Sequence, residues 1–416
     1  MDKSNGYTTV LQIGEGKLLR TLIDPILFEM KNSGWESNVY ITNITDNGEE
    51  TVAKLKAAGS FYIILRDRQN LSGFTISGFN TLSMRNEWSI ILELVKSDST
   101  LMIVSNSTEK GYVVSEEIFN SKEKSGTFIG ILTKLLYSRF TALIERKVII
   151  LPTELINNNG VALRRLVMNQ ARIWNLEDSF SKWINRSVVF VNTLVDRIVT
   201  EPPHDSTYLE VIPNSESLVS IGELYGRWWI EDPGLLSKLV PDNKPKEMIL
   251  VQKLEPYYKM KVWILNGAHL FIACWGITHG YETVYEAMQD KRLEPHVTMY
   301  WNQVKTLIPL NDDVTDEFIQ NTKMRFNQQW LNHKLSSIAT NIPEKWQIRI
   351  LEPIMTFREL YNDYLEELLI ASASVSELLS ELEKIDFQEE VNKLTQDVEL
   401  QSHIIKAYEK NKDFIK

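Results

Sequence analysis

An α/β domain with an open, mostly parallel sheet, followed by a mainly α-helical domain, is the fold class this sequence predicts. Two observations predict it. From residue 8 to about 191, short apolar runs alternate with amphipathic stretches, the pattern of strands laid side by side with helices over their faces. Beyond a polar stretch with two prolines, LVPDNKPKE at 239–247, and one more strand-like run, MILVQKL, the hydrophobic period becomes helical and stays so. Length agrees with this division: the chain has 416 residues, and single cores stop growing beyond roughly 250–300. The boundary is placed near residue 254, giving domains 1–254 and 255–416.

The elements follow in order. TTVLQI at 8–13 reads as a strand, Gly14-Glu15-Gly16 as a tight turn, and LLRTLIDPILFEMKNSG as a helix interrupted by Pro25. Further strands are expected at 38–42, 61–65, 101–105, 147–151 and 187–191, where β-branched and other apolar residues run together. Helices are expected at 256–275, 281–291, 314–340 and 355–411. Within the last, 363–395 is rich in Glu and Leu, which suits a solvated amphipathic helix or a face that docks on a partner.

Composition narrows the function. Hydrophobic residues make up 43% and charged residues 24%, so the chain is expected to fold throughout. A net charge of −10 leaves no domain-wide basic field, so neither nucleic acid nor an anionic membrane is an expected partner. The N-terminal residues carry no apolar leader, and no uninterrupted apolar run reaches the roughly 18 residues of a membrane crossing, so a cytoplasmic address is expected. Cys274 is the only cysteine, which excludes an intrachain disulfide and any zinc site built on several thiolates. The six histidines form no close ligand pair, and no metal is expected.

Strand, glycine turn and helix at 8–34 is the arrangement in which a dinucleotide pyrophosphate rests on helix N-terminal amides, and Gly14 and Gly16 would permit the close approach. Leu19 stands where a third glycine is usual, and a plain turn reads equally well from these residues alone. After the second strand the customary ribose-holding carboxylate is missing: Thr42 and Asn43 stand there, and the first acid is Asp46. Asp46 suits a ribose hydroxyl or a loop facing water, so the choice between NAD and NADP stays open. Ser105 to Gly111, including Asn106, Thr108 and Glu109, leaves the carboxyl end of a strand, the edge where open α/β sheets bind ligands. Pro152, Thr153 and Glu154 leave the next strand in the same way, as do Asn192, Thr193, Asp196 and Arg197 the one after.

The segment PYYKMKVWILNGAHLFIACWG, 256–276, is apolar nearly all round and carries Lys261, Asn266 and His269. At 3.6 residues per turn Asn266 falls roughly 140° and His269 roughly 80° from Lys261, on one broad face, while Lys259 falls roughly 200° away. An amine in apolar surroundings loses solvation, which favours its neutral form and suits it to general-base work on a secondary alcohol. Asn266 would stabilise charge developing on the alcohol oxygen, and His269 would orient substrate. The same residues also fit a lysine snorkelling to the surface, an asparagine capping a break before Gly267, and a core histidine.

Lys261-x4-Asn266-x2-His269 resembles the signature of the long-chain polyol dehydrogenases, the mannitol dehydrogenase family, and within it the tagaturonate (altronate) reductase branch. GEGKLLR (14–20), SNSTEKG (105–111), PTELINNNG (152–160), NTLVDRIVT (192–200), KVWILNGAH (261–269) and RFNQQWLNHKLSSIATN (325–341) carry the resemblance in family order over most of residues 8–350. It implies an N-terminal Rossmann-type domain, a helical substrate-binding domain, and NAD-linked reduction of a ketose or keto-uronate without a catalytic metal. Lys261 would then be the general acid/base, Asn192 and Asn266 would polarise the carbonyl, and His269 would position substrate. Gly14, Gly16 and Arg20 would belong to the cofactor site, with Asp46, Asn106, Thr108 and Glu109 at its edge and Asp196 beside the substrate. Lys345 and Arg349, in EKWQIRI, would form a cation pair for a substrate carboxylate. Fructuronate, a polyol or a sugar phosphate are the alternative substrates, and a non-catalytic module that keeps the cofactor fold is the alternative from another class.

Overall fold

The computed structural model describes residues 7–68, 70–107, 111–200 and 218–416. It comprises two compact units that divide after Leu254.

The first unit is built on a six-stranded parallel sheet. Its strands, numbered along the chain, are β1 (Thr8–Ile13), β2 (Ser37–Thr42), β3 (Asn80–Leu82), β4 (Thr100–Ser105), β5 (Val148–Pro152) and β6 (Val188–Phe190). Their spatial order is β3-β2-β1-β4-β5-β6, the doubly wound order in which the chain reverses direction between β1 and β4. Strands buried on both faces read as continuous apolar runs, and successive residues point to opposite faces. Val10, Met102, Val104, Ile149 and Leu151 therefore join one core layer, and Leu11, Leu101, Ile103, Val148 and Ile150 the other.

The run expected at 61–65 is a strand, Ser60–Arg66, but it lies outside this sheet. It pairs antiparallel with Leu71–Ser77 and parallel with Val219–Glu223 in a separate four-stranded sheet. Connection length explains the difference. A short turn, closed by the Asp67 carboxylate accepting from the Asn70 amide at 2.6 Å, folds the chain straight back, whereas a parallel neighbour needs a crossover of a dozen or more residues. A third sheet joins Thr193–Asp196, Arg227–Glu231 and Met248–Val251.

Helical backbone runs through 17–32 despite Pro25. Leu19–Ile23 is a π-turn, bonded to carbonyls five residues back, and the α-helix Asp24–Asn32 continues from it. Pro25 has no N–H to give the Thr21 carbonyl four residues back, and the Arg197 guanidinium donates to that carbonyl instead.

The second unit is helical. Its centre holds a helix over 255–278 and a second helix, Glu366–Glu383, which pack on each other. The first is long and apolar enough by composition to cross a membrane, yet 94% of its most apolar window is buried within the fold. The second is buried from Glu367 to Ser380, so this part of the Glu- and Leu-rich stretch is core, while residues 381–384 and one face of the following helix Phe387–Leu394 are exposed. Serines let it pack closely, with Ser372 Oγ donating to the Leu368 carbonyl at 2.9 Å and accepting from Trp346 Nε1 at 3.0 Å.

Candidate active site

The glycine turn closes the carboxyl ends of three strands. Gly14 has φ +132°, and a Cβ there would stand 3.1 Å from the Asn106 carbonyl oxygen and 3.0 Å from Leu19 Cδ1. Its N–H donates to the Thr42 carbonyl at 2.7 Å, and the Asn106 N–H donates to the Ile13 carbonyl at 3.1 Å. The third glycine of the usual fingerprint serves close helix-to-strand packing; Leu19 replaces it by filling the space that Gly14 leaves. Gly16 is exposed with open space beside it. Arg20 is buried, with Nη1 donating to the Glu15 carbonyl at 2.6 Å and Nε to Ser220 Oγ at 3.0 Å, so it braces the turn from below.

Beyond β2, Asn43 is buried and structural: its Oδ1 accepts from the Met84 N–H at 2.9 Å and its Nδ2 donates to Glu49 at 2.9 Å. Asp46 is exposed and pairs with Arg85 at 3.4 Å. Besides Glu49, a second acid reaches this end of the sheet from the glycine turn itself. A Cβ on Gly48 would stand 2.4 Å from Glu15 Oε1, and 2.8 Å from Asn43 Cβ, so Glu15 reaches across from β1 to the end of β2. Burial raises the Glu15 carboxyl above its usual range and Glu49 adds to this, while its own backbone amide and Arg20 act against them. Sequence spacing gave no signal for that reach.

The loops after β4, β5 and β6 are tied together. Asn106 Nδ2 donates to Thr153 Oγ1 at 2.9 Å, and buried Glu154 accepts from the Ser107 N–H at 2.8 Å and Tyr112 Oη at 3.0 Å. Asn159, which the sequence reading assigned no part, is the hub: its Nδ2 donates to the carbonyls of Pro152, Glu154 and Thr193. Asn192 is nearly buried, and its Oδ1 accepts from the Val161 N–H at 3.2 Å, which leaves the Nδ2 end to donate elsewhere. Asp196 is buried at the end of its strand, opposite Arg227. Thr108 and Glu109 lie outside the described residues.

In the second unit, Lys261, Asn266 and His269 are exposed by only 8%, 8% and 6%. The helix that carries them is not uniform. Glu255–Lys259 and Ala268–Thr278 are α-helical, and Met260–Gly267 between them is a π-turn. In such a turn the residue five ahead comes round over the first, where an α-helix would bring the fourth. Asn266 is five residues from Lys261, so the widened turn brings onto one side two groups that regular spacing sets far apart. Lys259 faces elsewhere, paired with Glu255 at 2.7 Å.

His269 stacks on Phe326 at 4.2 Å and meets the His333 ring edge-on at 4.9 Å. Its Nε2 is buried without a hydrogen-bond partner among the described residues. Burial holds its pKa well below the usual imidazole range, reinforced by His333, Arg325, Arg349 and Lys261, so the ring is neutral at working pH. Burial, then Arg325, bring His333 down to about 4. Arg349, in a second π-turn at Gln347–Leu351, donates to the Asn266 carbonyl at 3.4 Å. Lys345 donates instead to the Ile338 carbonyl and Thr340 Oγ1, both at 2.8 Å. The cations gathered about His269 are thus Lys261, Arg325 and Arg349, and Lys345 is not among them. Arg325 and His333 lie in the RFNQQWLNHK stretch, where a buried arginine ending an amphipathic helix was the available signal. Among the described residues, no cluster of three or more His, Cys, Asp or Glu side chains could hold a metal.

A doubly wound parallel sheet closed by a glycine turn, and a helical unit with a buried lysine and asparagine on one widened turn and a buried histidine just beyond it, define a two-unit chain of the Rossmann class. The chain belongs to the mannitol dehydrogenase family: residues 8–241 match the mannitol dehydrogenase Rossmann domain and residues 253–413 the mannitol dehydrogenase C-terminal domain. It is 29% identical over 383 residues to an altronate oxidoreductase of Bacillus subtilis, covering 88% of this chain and 78% of that one. It is 30% identical over 373 residues to an altronate oxidoreductase of Halalkalibacterium halodurans, covering 86% and 71%. Among solved structures, a mannitol 2-dehydrogenase of Pseudomonas fluorescens, in ternary complex with NAD and D-mannitol, matches with TM-score 0.78 and 16% identity over 99% of this chain and 93% of that one. A substrate-free D-sorbitol dehydrogenase matches with TM-score 0.77 and 17% identity, over 100% and 92%.

Proposed function

We propose that this chain is an NAD-dependent oxidoreductase that interconverts a sugar-derived ketone and its secondary alcohol, tagaturonate and altronate foremost, with Lys261 as general acid/base. The observation that carries the reading is the buried turn that gathers Lys261, Asn266 and His269 and leaves the imidazole Nε2 without a partner. A buried polar atom without a partner costs free energy, and a substrate hydroxyl would satisfy it. The names of the relatives, altronate oxidoreductases at 29–30% identity, support the substrate class.

The first unit suits a dinucleotide. A side chain at Gly14 would collide with Leu19 and Asn106, the exposed Gly16 opens the helix that follows, and helix N-terminal amides favour a pyrophosphate. Gly14 and Gly16 would hold that group, Arg20 would keep the turn in shape, and Asn106 would line the edge with Thr108 and Glu109. Glu15 takes the place of the missing ribose carboxylate, ahead of Asp46, and its charge opposes a 2′-phosphate, so NAD is favoured over NADP. NAD, when bound, accepts the hydride.

The second unit moves the proton. Lys261 Nζ takes the hydroxyl proton of the alcohol as the carbinol hydride leaves, and returns it to the oxygen in ketone reduction. This needs an amine that is neutral near working pH. Asn266 hydrogen-bonds the oxygen as its charge grows. Neutral His269 accepts or donates through Nε2 to a neighbouring hydroxyl. Arg349, with Arg325, supplies positive charge for a carboxylate, ahead of Lys345, whose amine donates to the Ile338 carbonyl and Thr340 Oγ1. The lysine supplies the base directly, so the scheme calls for no metal.

NADH consumption over tagaturonate, fructuronate and neutral ketoses tests this. Turnover is expected with a keto-uronate, and Lys261→Ala is expected to lose about a hundredfold or more. Wild-type turnover in that variant refutes the assigned base.

A further inference from the structure

An α-helix is the ordinary course for an apolar run such as 256–276, and a π-turn inside it has a cause. Widening the turn by one residue takes backbone carbonyls from their usual amides, and a buried carbonyl left without a donor is destabilising. The neighbouring helix Leu293–Lys305 supplies the donors. Tyr300 Oη donates to the Trp263 carbonyl at 3.0 Å, and Trp301 Nε1 donates to the Ile264 carbonyl at 3.0 Å. Both side chains are fully buried. Tyr300 Oη also lies 3.4 Å from the Arg349 carbonyl, so one hydroxyl stands between two π-turns. Gly267 makes this approach possible, because a Cβ there would stand 2.1 Å from Tyr300 Oη and 2.9 Å from the Arg349 carbonyl oxygen.

We infer that Tyr300 and Trp301 are positioning residues for the reaction: they hold the turn Met260–Gly267 in its wide form and so keep Lys261 and Asn266 on one side of the helix. Without these two donors the turn relaxes toward α-helical bonding, which swings Asn266 away from the Lys261 amine. The Tyr300 hydroxyl holds the Arg349 backbone in the same act, so the base and a substrate cation keep a fixed relation. The inference rests on the proposed role of Lys261.

Tyr300→Phe removes one oxygen and keeps the ring, so it is the primary test, with Trp301→Phe beside it. The readouts are kcat, KM for ketone and NADH, the pH profile of kcat, and amide hydrogen exchange over 260–267. The expected result is a fall in kcat of about ten- to a hundredfold, the scale of an ångström-level misplacement. The KM for NADH stays unchanged, the pH limb that Lys261 controls moves, and exchange over 260–267 quickens. Should Trp301→Phe fail to fold, Tyr300→Phe decides alone. A Tyr300→Phe protein with wild-type kcat and pH profile per folded molecule overturns the inference, provided Lys261→Ala is inactive. Should Lys261→Ala stay active, the assigned base itself is wrong, a separate outcome.

Discussion

Replacing Asp24 by asparagine should stabilise the protein at pH 8 and much less at pH 5. Asp24 is fully buried at the start of the helix Asp24–Asn32, and neither carboxylate oxygen has a hydrogen-bond partner among the described residues. Burial pushes its pKa up from 3.8 to about 7, with Arg20 and the nearby Gln12 side chain acting against the rise. The sign follows from proton binding. Between those values the folded state holds a proton that the unfolded state has released, so stability falls as pH rises through the window. Integrated over the shift, the cost is about 1.5–2 kcal/mol at pH 5 and about 4 kcal/mol at pH 8, as upper bounds before relaxation. Asparagine keeps the shape without the charge, and Arg20 keeps its bonds to Ser220 and the Glu15 carbonyl. If half the ceiling is realised, thermal unfolding at pH 8 rises by about 4–8 °C, at about 2–4 °C per kcal/mol for a domain of this size. Tm for wild type and Asp24→Asn at pH 5, 6, 7 and 8 checks this. A gap that is constant, or widest at pH 5, refutes the assignment of an unsatisfied buried charge.

Two further outcomes follow. Glu15→Gln should weaken NADH about tenfold or more, the worth of a charge-assisted hydrogen bond, and narrow the preference over NADPH. Titration calorimetry of both coenzymes reads this without turnover, and an unchanged NADH affinity removes Glu15 from the ribose site. Arg349→Ala should raise KM for a keto-uronate about tenfold or more and leave a neutral ketose nearly unaffected, whereas Lys345→Ala should leave both within about twofold; a competition assay with the two substrates separates them.

Periodicity reported the sheet well and the helical unit less well. Strands β4 and β5 stand out because both faces are buried and the apolar runs are nearly unbroken, and β1, β2 and β6 because β-branched and apolar residues cluster in them. β3 is three residues long, Asn80–Leu82, and no pattern can register in so few. The helix Leu293–Lys305 lies outside the expected helical runs; its Pro295 stands in the first turn, where the missing N–H has no intrahelical partner to lose. The expected helix over 355–411 is several helices, since Asn362 and Lys384 take left-handed backbone with φ of 52° and 57° and end two of them. Likewise 314–340 breaks after Phe326, and Asn332 turns left-handed six residues later. The types and order of Lys261, Asn266 and His269 were legible, but their angular relation was not, because a period of 3.6 cannot describe a turn that bonds five residues back. The family resemblance paired Lys345 with Arg349; in the fold Lys345 donates to the Ile338 carbonyl and Thr340 Oγ1.

The three π-turns among the described residues share one construction. Leu19–Ile23 carries Arg20, Met260–Gly267 carries Lys261 and Asn266, and Gln347–Leu351 carries Arg349. Each displaces carbonyls that a regular helix would satisfy, and each has a side-chain donor from elsewhere in its own unit at or beside the defect. Arg197 serves Thr21, Tyr300 and Trp301 serve Trp263 and Ile264, and Tyr300 Oη also faces the Arg349 carbonyl. A wide turn that arose by accident would tend to relax to α, because regular bonding satisfies the same carbonyls without recruiting partners. That buried donors from distant segments converge on these carbonyls argues that the wide form is maintained. Since the widened turns carry the residues assigned to the reaction and its cofactor turn, what the donors maintain is the placement of those residues.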